Sequence, residues 1–356
     1  MIYETVMKAH NQKDVSNAEI DFLQVLEQKK PIVYKKILEY LPWRYPFTHY
    51  RILRDYPERQ GKYLRPALVL LANELFNGKE NDAVLTAAAM QTSEDWILIH
   101  DDIEDKSEER RGKPCLHKLY GIELAINAGD ALHVIMWKML IDNYKILGRK
   151  KTERICNLMH DILLYTCEGQ HLEISWIRNN KIKIAEREYY RMIDRKAGAY
   201  SIYGPLQLGA AVAGVTDDQL ESIKEWGIPF GRAFMIHDDV LNLIGKNTYG
   251  KEIGGDILEG KRTLILIHLL KHCLTEERKS VLKIYLKDRY EKTEEEKDYV
   301  MQLMKKYGSI DFARRKSLEF ARQAKKIYEK NTIQLSDSFA KRALRAAIDF
   351  AVCREK

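Results

Sequence analysis

The sequence predicts an all-α fold, a large helical bundle forming one domain over residues 1–356. Three observations support it. None of the eight prolines lies beyond Pro229, and Gly308 is the only glycine after Gly260, so the last quarter of the chain is almost free of helix breakers. Lys79 to Arg111 contains neither glycine nor proline and carries Leu85, Ala88, Ala89, Trp96, Ile97 and Ile99, consistent with one long helix. A content of 45% hydrophobic and 31% charged residues supplies both a core and a solvated exterior.

Composition also excludes classes. The five cysteines are odd in number and scattered, without a CxxC pair, which argues against a disulfide framework and against a zinc knuckle. A formal charge of +7, with basic and acidic residues interleaved, suits a small anionic ligand better than nucleic acid. The longest unbroken apolar run, Leu208 to Val215, falls short of the roughly 20 residues that span a bilayer, and no basic-then-apolar leader opens the chain. A cytoplasmic protein with no membrane span is expected.

Residues 1 to about 41 read as one or two amphipathic helices, with Ile20, Phe22, Leu23 and Leu26 at helical spacing, closed by the breaker Pro42 to Pro46. They belong to an N-terminal helical part, 1–60; residues 61–270 carry the chemistry, and 271–356 are C-terminal helices. Gly61-Lys62-Tyr63-Leu64-Arg65-Pro66 combines a turn glycine, two cations and a proline suited to a first helical turn. Read alone, it is either a solvated helix start or an anion site in which Lys62 and Arg65 converge.

The long helix then runs into HDDIEDKSEERRG, with six carboxylates in the nine residues Asp101 to Glu109, followed by Arg110 and Arg111. On a continuous helix Asp101 and Asp105 share a face, with Asp102 about 100° round. Carboxylates held this close demand countercharge, which Mg²⁺ supplies while also binding phosphate oxygens; the arginines can grip phosphate beyond it. The pattern recurs in His237-Asp238-Asp239-Val240-Leu241-Asn242, with an amide at the third position. Two such segments, each behind an apolar stretch, suggest helices facing one pocket.

Between them, Gly169-Gln170-His171-Leu172-Glu173 and Arg195-Lys196-Ala197-Gly198 read singly as ordinary helix residues. Gly250 to Asp256, then Glu259-Gly260-Lys261, form a turn-rich loop whose Lys251 and Lys261 could close over an anion. From Arg262 to Tyr307, and again from Ser309, helical patterns resume and read as bundle core or dimer packing. His100, His171 and His237 read as packing or supporting residues, because hard-metal sites use oxygen. No GxSxG, Cys/His pair at catalytic spacing or dinucleotide-binding fingerprint is present.

Taken in order, GKYLRP, DDIEDKSEERRG, GQHLE, RKAG, DDVLN and GKEIGGD followed by EGK resemble the trans-isoprenyl diphosphate synthases, with motifs across roughly residues 60 to 270. The resemblance implies an all-α bundle around a deep central cavity, as a homodimer, with both acidic motifs at its mouth. It implies an Mg²⁺-dependent transfer joining isopentenyl diphosphate to an allylic diphosphate by ionisation, condensation and elimination. Asp101, Asp102, Asp105, Asp238 and Asp239, with Asn242 as an uncharged member, would hold the metal. Lys62, Arg65 and Arg111 would bind isopentenyl diphosphate. Arg110, Lys196, Lys251 and Lys261 would clamp the allylic diphosphate, with Gln170 and Glu173 shaping that end.

The sequence departs from the family pattern at Glu94, where His, Gln or Asn is usual; a carboxylate there repels a diphosphate unless it orients Lys62 or Arg65. Ala197 and Met235 replace the usual Thr and Gln. Product length is read in the family just before the first motif. Here Trp96 and Ile97 form the floor, and one aromatic there resembles synthases making the twenty-carbon geranylgeranyl diphosphate, with the fifteen-carbon farnesyl product as the alternative. A class I terpene cyclase would share the acidic pair but need no isopentenyl site, and a non-catalytic synthase subunit would typically lose metal carboxylates.

Overall fold

The computed structural model describes residues 22–245 and 253–354, and the structure is almost wholly α-helical, as the sparse breakers require. Helix α1 covers residues 22–39; Ile20, from the expected first amphipathic stretch, lies outside the described residues. After the proline-rich breaker come α2 (Phe47–Arg59), α3 (Leu64–Leu75) and α4 (Glu80–Glu104). Pro66 sits in the first turn of α3, where its missing N–H costs nothing.

Helix α4 is shorter than expected. It stops at Glu104, and the chain forms a two-residue hairpin, β1 (Glu109–Arg110) paired with β2 (Lys113–Pro114). Clustered carboxylates at a helix C-terminus oppose the helix dipole, which favours ending there. The end is closed by a left-handed Lys106 (φ 54°), with bonds from Ser107 N–H to the Asp102 carbonyl (2.9 Å) and Lys106 N–H to that of Ile103 (3.3 Å). Arg111 and Gly112 form the hairpin turn with φ of 53° and 72°, the double positive φ of a type I′ turn.

Short α5 (Leu116–Tyr120) leads into α6 (Ile122–Asp142) and α7 (Tyr144–Arg178). Helix α8 (Glu186–Ile193) continues through a π-helical segment, Asp194–Tyr203, into α9 (Gly204–Ala213). Helix α10 (Asp217–Ile244) carries the second acidic motif and is followed by α11 (Gly255–Glu259), α12 (Leu264–His272), α13 (Thr275–Tyr285), α14 (Glu294–Lys306), α15 (Ser309–Asn331) and α16 (Phe339–Cys353). Gly308, at φ 63°, separates α14 from α15.

Helix α4 packs along α6, α3 along α9, and α10 along α15. One apolar core joins α2, α3, α4, α6 and α7; a second joins α3, α9, α10, α15 and α16; a third lies among α8, α10 and α12 to α14. Helix α6 differs from the sequence expectation about membranes: it is long and apolar enough to cross one by composition. Charged and polar residues such as Glu123, Asp130 and Lys138 interrupt its apolar runs, so a run-length criterion passes over it. Ile122, Leu124, Ile126, Val134 and Ile141 leave an exposed apolar face along it.

Candidate active site

A cavity of about 670 Å³ opens between α3, α4, α7, the π segment and α10. Its inner wall is apolar, with Trp96, Ile97 and Leu163, and its mouth is charged. Helix α4 serves both ends, since Trp96 lies just over one helical turn before Asp101. Lys62, Arg65, Glu94, Arg110, Arg111, Gln170, Glu173, Lys196, Asp238, Asp239 and Lys261 all line the same space. Lys251 lies outside the described residues.

Close helix packing delivers Lys196. A Cβ on Gly169 of α7 would fall 2.2 Å from the Lys196 amide nitrogen, and one on Gly231 of α10 would fall 2.8 Å from the Gly198 Cα. The π segment is thus wedged between two helices that approach through bare backbone, a use of glycine that the separate motifs GQHLE and RKAG did not reveal. Lys196 pairs with Glu173 and stands 3.9 Å from Asp101. Burial works against its charge, but Glu173 and Asp101 outweigh it and hold its pKa above the ordinary lysine value.

The three aspartates of the first motif have different surroundings. Asp101 accepts from Gln170 Nε2 at 3.3 Å and lines the cavity. Asp105 faces Lys261 Nζ at 3.0 Å, and burial pushes its carboxyl up to about 7 in spite of that lysine. Asp102 is fully buried and points the other way. Arg110 grips it with Nε at 2.9 and 3.1 Å and also with Nη2, while Tyr56 donates its hydroxyl at 2.5 Å. Arg110 reaches Asp101 only at 3.5 Å.

The second motif diverges further. Asp238 accepts from Arg354 Nη2 at 2.9 Å. Asp239 is half-buried at the cavity wall and accepts from the Tyr189 hydroxyl at 2.6 Å; desolvation, with nearby Asp256, raises its carboxyl well above the usual range. Asn242 is not presented to the cavity: its Oδ1 accepts the Asp256 N–H at 3.2 Å, so it caps the short α11. It thereby sets Asp256 at the cavity wall, 3.6 Å from Lys261. Asp256, Tyr189 and Arg354 are site residues that motif spacing missed; the GGD glycines before Asp256 were the only signal. His237 hydrogen-bonds through Nε2 to the Arg354 carbonyl at 2.9 Å, and burial pushes its pKa down to about 4, so it is a neutral packing residue.

A second cationic cluster forms on the other wall. Arg65 bonds Ser201 Oγ at 2.8 Å, lies over the Tyr200 ring and contacts Glu94 at 3.0 Å. Arg111 donates to the Tyr56 carbonyl at 2.8 Å, pairs with Asp95 at 3.1 Å and approaches Glu94 at 3.5 Å. Gly61 makes room for it, because a Cβ there would fall 2.9 Å from Nη2. Burial opposes the charge on Glu94, but Arg65 and Arg111 outweigh it and hold the carboxyl below its ordinary value. Behind it, burial pushes Asp95 up to about 7. The unusual glutamate is therefore neutralised between the two arginines.

At the floor, the Trp96 ring lies 5.0 Å from that of His133 on α6 and 5.6 Å from that of His100. Trp137 Nε1 donates to His133 Nε2 at 2.9 Å, which props the imidazole beneath the indole.

The sequence matches the polyprenyl synthetase family over residues 48–304. It is 32% identical over 310 residues to the geranylgeranyl pyrophosphate synthase of Geoglobus acetivorans, covering 86% of this chain and 92% of that protein. It is 31% identical to a short chain isoprenyl diphosphate synthase of Methanothermobacter thermautotrophicus, covering 94% and 99% of the two chains. The solved geranylgeranyl pyrophosphate synthetase from Pyrococcus horikoshii superposes with a TM-score of 0.82 at 31% identity, covering 94% of this chain and 99% of that one. With its motifs in order around one cavity and a match across most of its length, the chain belongs to the polyprenyl synthetase family of trans-isoprenyl diphosphate synthases.

Proposed function

We propose that this protein is a prenyltransferase that joins isopentenyl diphosphate to an allylic diphosphate and makes geranylgeranyl diphosphate. One observation carries the reading: carboxylates from α4 and α10, interleaved with Lys196 and Lys261, ring the mouth of a cavity whose inner wall is apolar. The arrangement suits a substrate with a diphosphate head and a hydrocarbon tail. The separate cluster of Lys62, Arg65 and Arg111 suits a second diphosphate, which a terpene cyclase would not need.

The residues fit Mg²⁺. All the candidate donors are hard oxygens, and burial raises the pKa values of Asp105 and Asp239, so a bound divalent cation would favour their ionised, ligating form. Among the described residues no three acidic, His or Cys side chains are already gathered about one point; Lys196, Lys261 and Arg354 now share their charge. Asp101, Asp105, Asp238 and Asp239 would hold the metal, Asp102 and Asn242 serving as supports. When bound, Mg²⁺ supplies electrophilic stabilisation of the leaving diphosphate.

Lys196 and Lys261 add fixed positive charge where that diphosphate departs. The apolar wall receives the allylic cation and keeps water from it. The isopentenyl double bond attacks, held in line by Lys62, Arg65 and Arg111. The departing diphosphate takes the proton, so no side-chain base is required.

We further propose one domain working as a cytoplasmic homodimer, with the exposed apolar face of α6 as the dimer surface. Sedimentation of wild type and Val134→Glu tests this: a monomeric wild type rejects it. The activity test is purified protein with Mg²⁺, labelled isopentenyl diphosphate and allylic starters of increasing length. Elongated product is expected, ending at geranylgeranyl diphosphate; farnesyl as the longest product corrects the chain length, and no product with any starter sinks the assignment.

A further inference from the structure

Two arginines serve the two acidic motifs, and they are held differently. Arg110 grips Asp102 through both Nε and Nη2, and both side chains are buried. Arg354, immediately after α16, touches Asp238 through Nη2 alone, at 2.9 Å, and the Asp238 side chain is 36% exposed at the cavity mouth.

Arg354 is otherwise built in. Its guanidinium carbon lies 4.0 Å from the Phe234 ring centroid, Nη2 also approaches the Phe234 carbonyl at 3.4 Å, and its own carbonyl accepts from His237. Its Nε is buried and has no hydrogen-bond partner among the described residues. The backbone is therefore anchored and the buried guanidinium is stacked on Phe234, yet its Nε is unsatisfied among the described residues and only Nη2 reaches the part-exposed Asp238.

We propose that Arg354 is an exchangeable counter-ion of the second acidic motif: it shares the charge of Asp238 in the free protein, yields that carboxylate when a divalent cation binds, and so lowers the resting metal affinity of α10. This rests on the proposed metal-dependent reading of the site. A cation approaching Asp238 must break or share a charge-assisted bond, and the cost of doing so subtracts from its affinity. The locked Arg110–Asp102 pair carries no such exchange, because Asp102 has no open side. The residue that follows α16 thereby couples that helix to metal occupancy on α10. The placement of His237 behind Arg354 follows as well: it fixes the arginine's backbone without competing for the carboxylate.

The test is Mn²⁺ binding to the full-length protein without substrates, followed by the electron paramagnetic resonance signal of free Mn²⁺. The variants are Arg354→Gln and Arg354→Met, the second keeping an apolar stem on Phe234 should the first not fold. Tightening of about fivefold or more is expected, and the gain should disappear when Asp238→Asn is added. Unchanged or weaker binding in a variant with wild-type circular dichroism overturns the proposal. A wild type that makes prenyl product while neither variant tightens overturns the Arg354 inference alone; a wild type that neither binds Mn²⁺ nor makes product overturns both it and the functional reading.

Discussion

Replacing Trp96 with alanine should lengthen the product. The indole lines the inner end of the cavity, with the His133 ring 5.0 Å away on α6. Substitution removes roughly nine heavy atoms from a close-packed wall, and an isoprene unit adds about five carbons, so the space admits about one further unit. A buried Trp→Ala change costs about 3–5 kcal/mol. Trp96 should sit at the low end, because one side of its ring faces the cavity and its Nε1 has no hydrogen-bond partner to lose. Turnover should survive, since the carboxylates lie at the other end. The assay is chromatography of the dephosphorylated prenyl alcohols after incubation with labelled isopentenyl diphosphate. A main product one unit longer than wild type is expected, and longer again in Trp96→Ala with His133→Ala. An unchanged distribution at undiminished turnover refutes the argument and places the floor elsewhere.

Three other substitutions separate the roles assigned above. Glu94→Gln should lower the KM for isopentenyl diphosphate with little change in kcat, because Arg65 keeps Ser201 and Tyr200 and Arg111 keeps Asp95 and the Tyr56 carbonyl; a raised KM would show that Glu94 orients the arginines more than it repels substrate. Asp102→Asn should cost about 3–5 kcal/mol in denaturant unfolding by leaving Arg110 buried and unpaired, whereas Asp101→Asn should cost less than about 1 kcal/mol; equal losses would contradict the division of the motif. Burial, with Arg262 nearby, pushes the Lys292 ammonium down from 10.5 to about 8. Between those values the unfolded chain binds more protons, so this group makes stability rise with pH across that window. Lys292→Met should flatten the rise in thermal melts, and parallel wild-type and variant curves would count against it.

The fold class was legible because breakers are few and helical apolar spacing is long-range in this chain. What spacing could not show is the direction in which a side chain faces once a helix ends or changes pitch. Asp102 appears equivalent to Asp101 in DDxxD, yet the hairpin after Ser107 swings Arg110 back onto it and buries it. The hairpin depends on Arg111 adopting a positive φ, which its residue type disfavours, so a stretch without glycine or proline through Arg111 gave no sign of the turn. Lys196 reads as an ordinary helix residue until the π segment places it against Gly169. Arg354 carries no motif at all and reaches Asp238 across 116 residues of sequence.

The third position of each motif shows what these differences do to the chemistry. In the first, Asp105 brings charge directly to Lys261; in the second, Asn242 brings none and spends its side-chain oxygen on the Asp256 amide. Yet the second side is not left short of carboxylate, because that bond turns α11 so that Asp256 approaches Lys261 as well. Lys261 therefore lies between a carboxylate from α4 and one supplied by the turn after α10, with Glu259 as a third acid beside it. Burial opposes the charge of this lysine, but Asp105, Glu259 and Asp256 together hold its pKa well above the ordinary value. A cation kept charged at such depth is suited to meeting a departing diphosphate. An amide at position 242 gives up one direct ligand but retains the turn that orients this lysine.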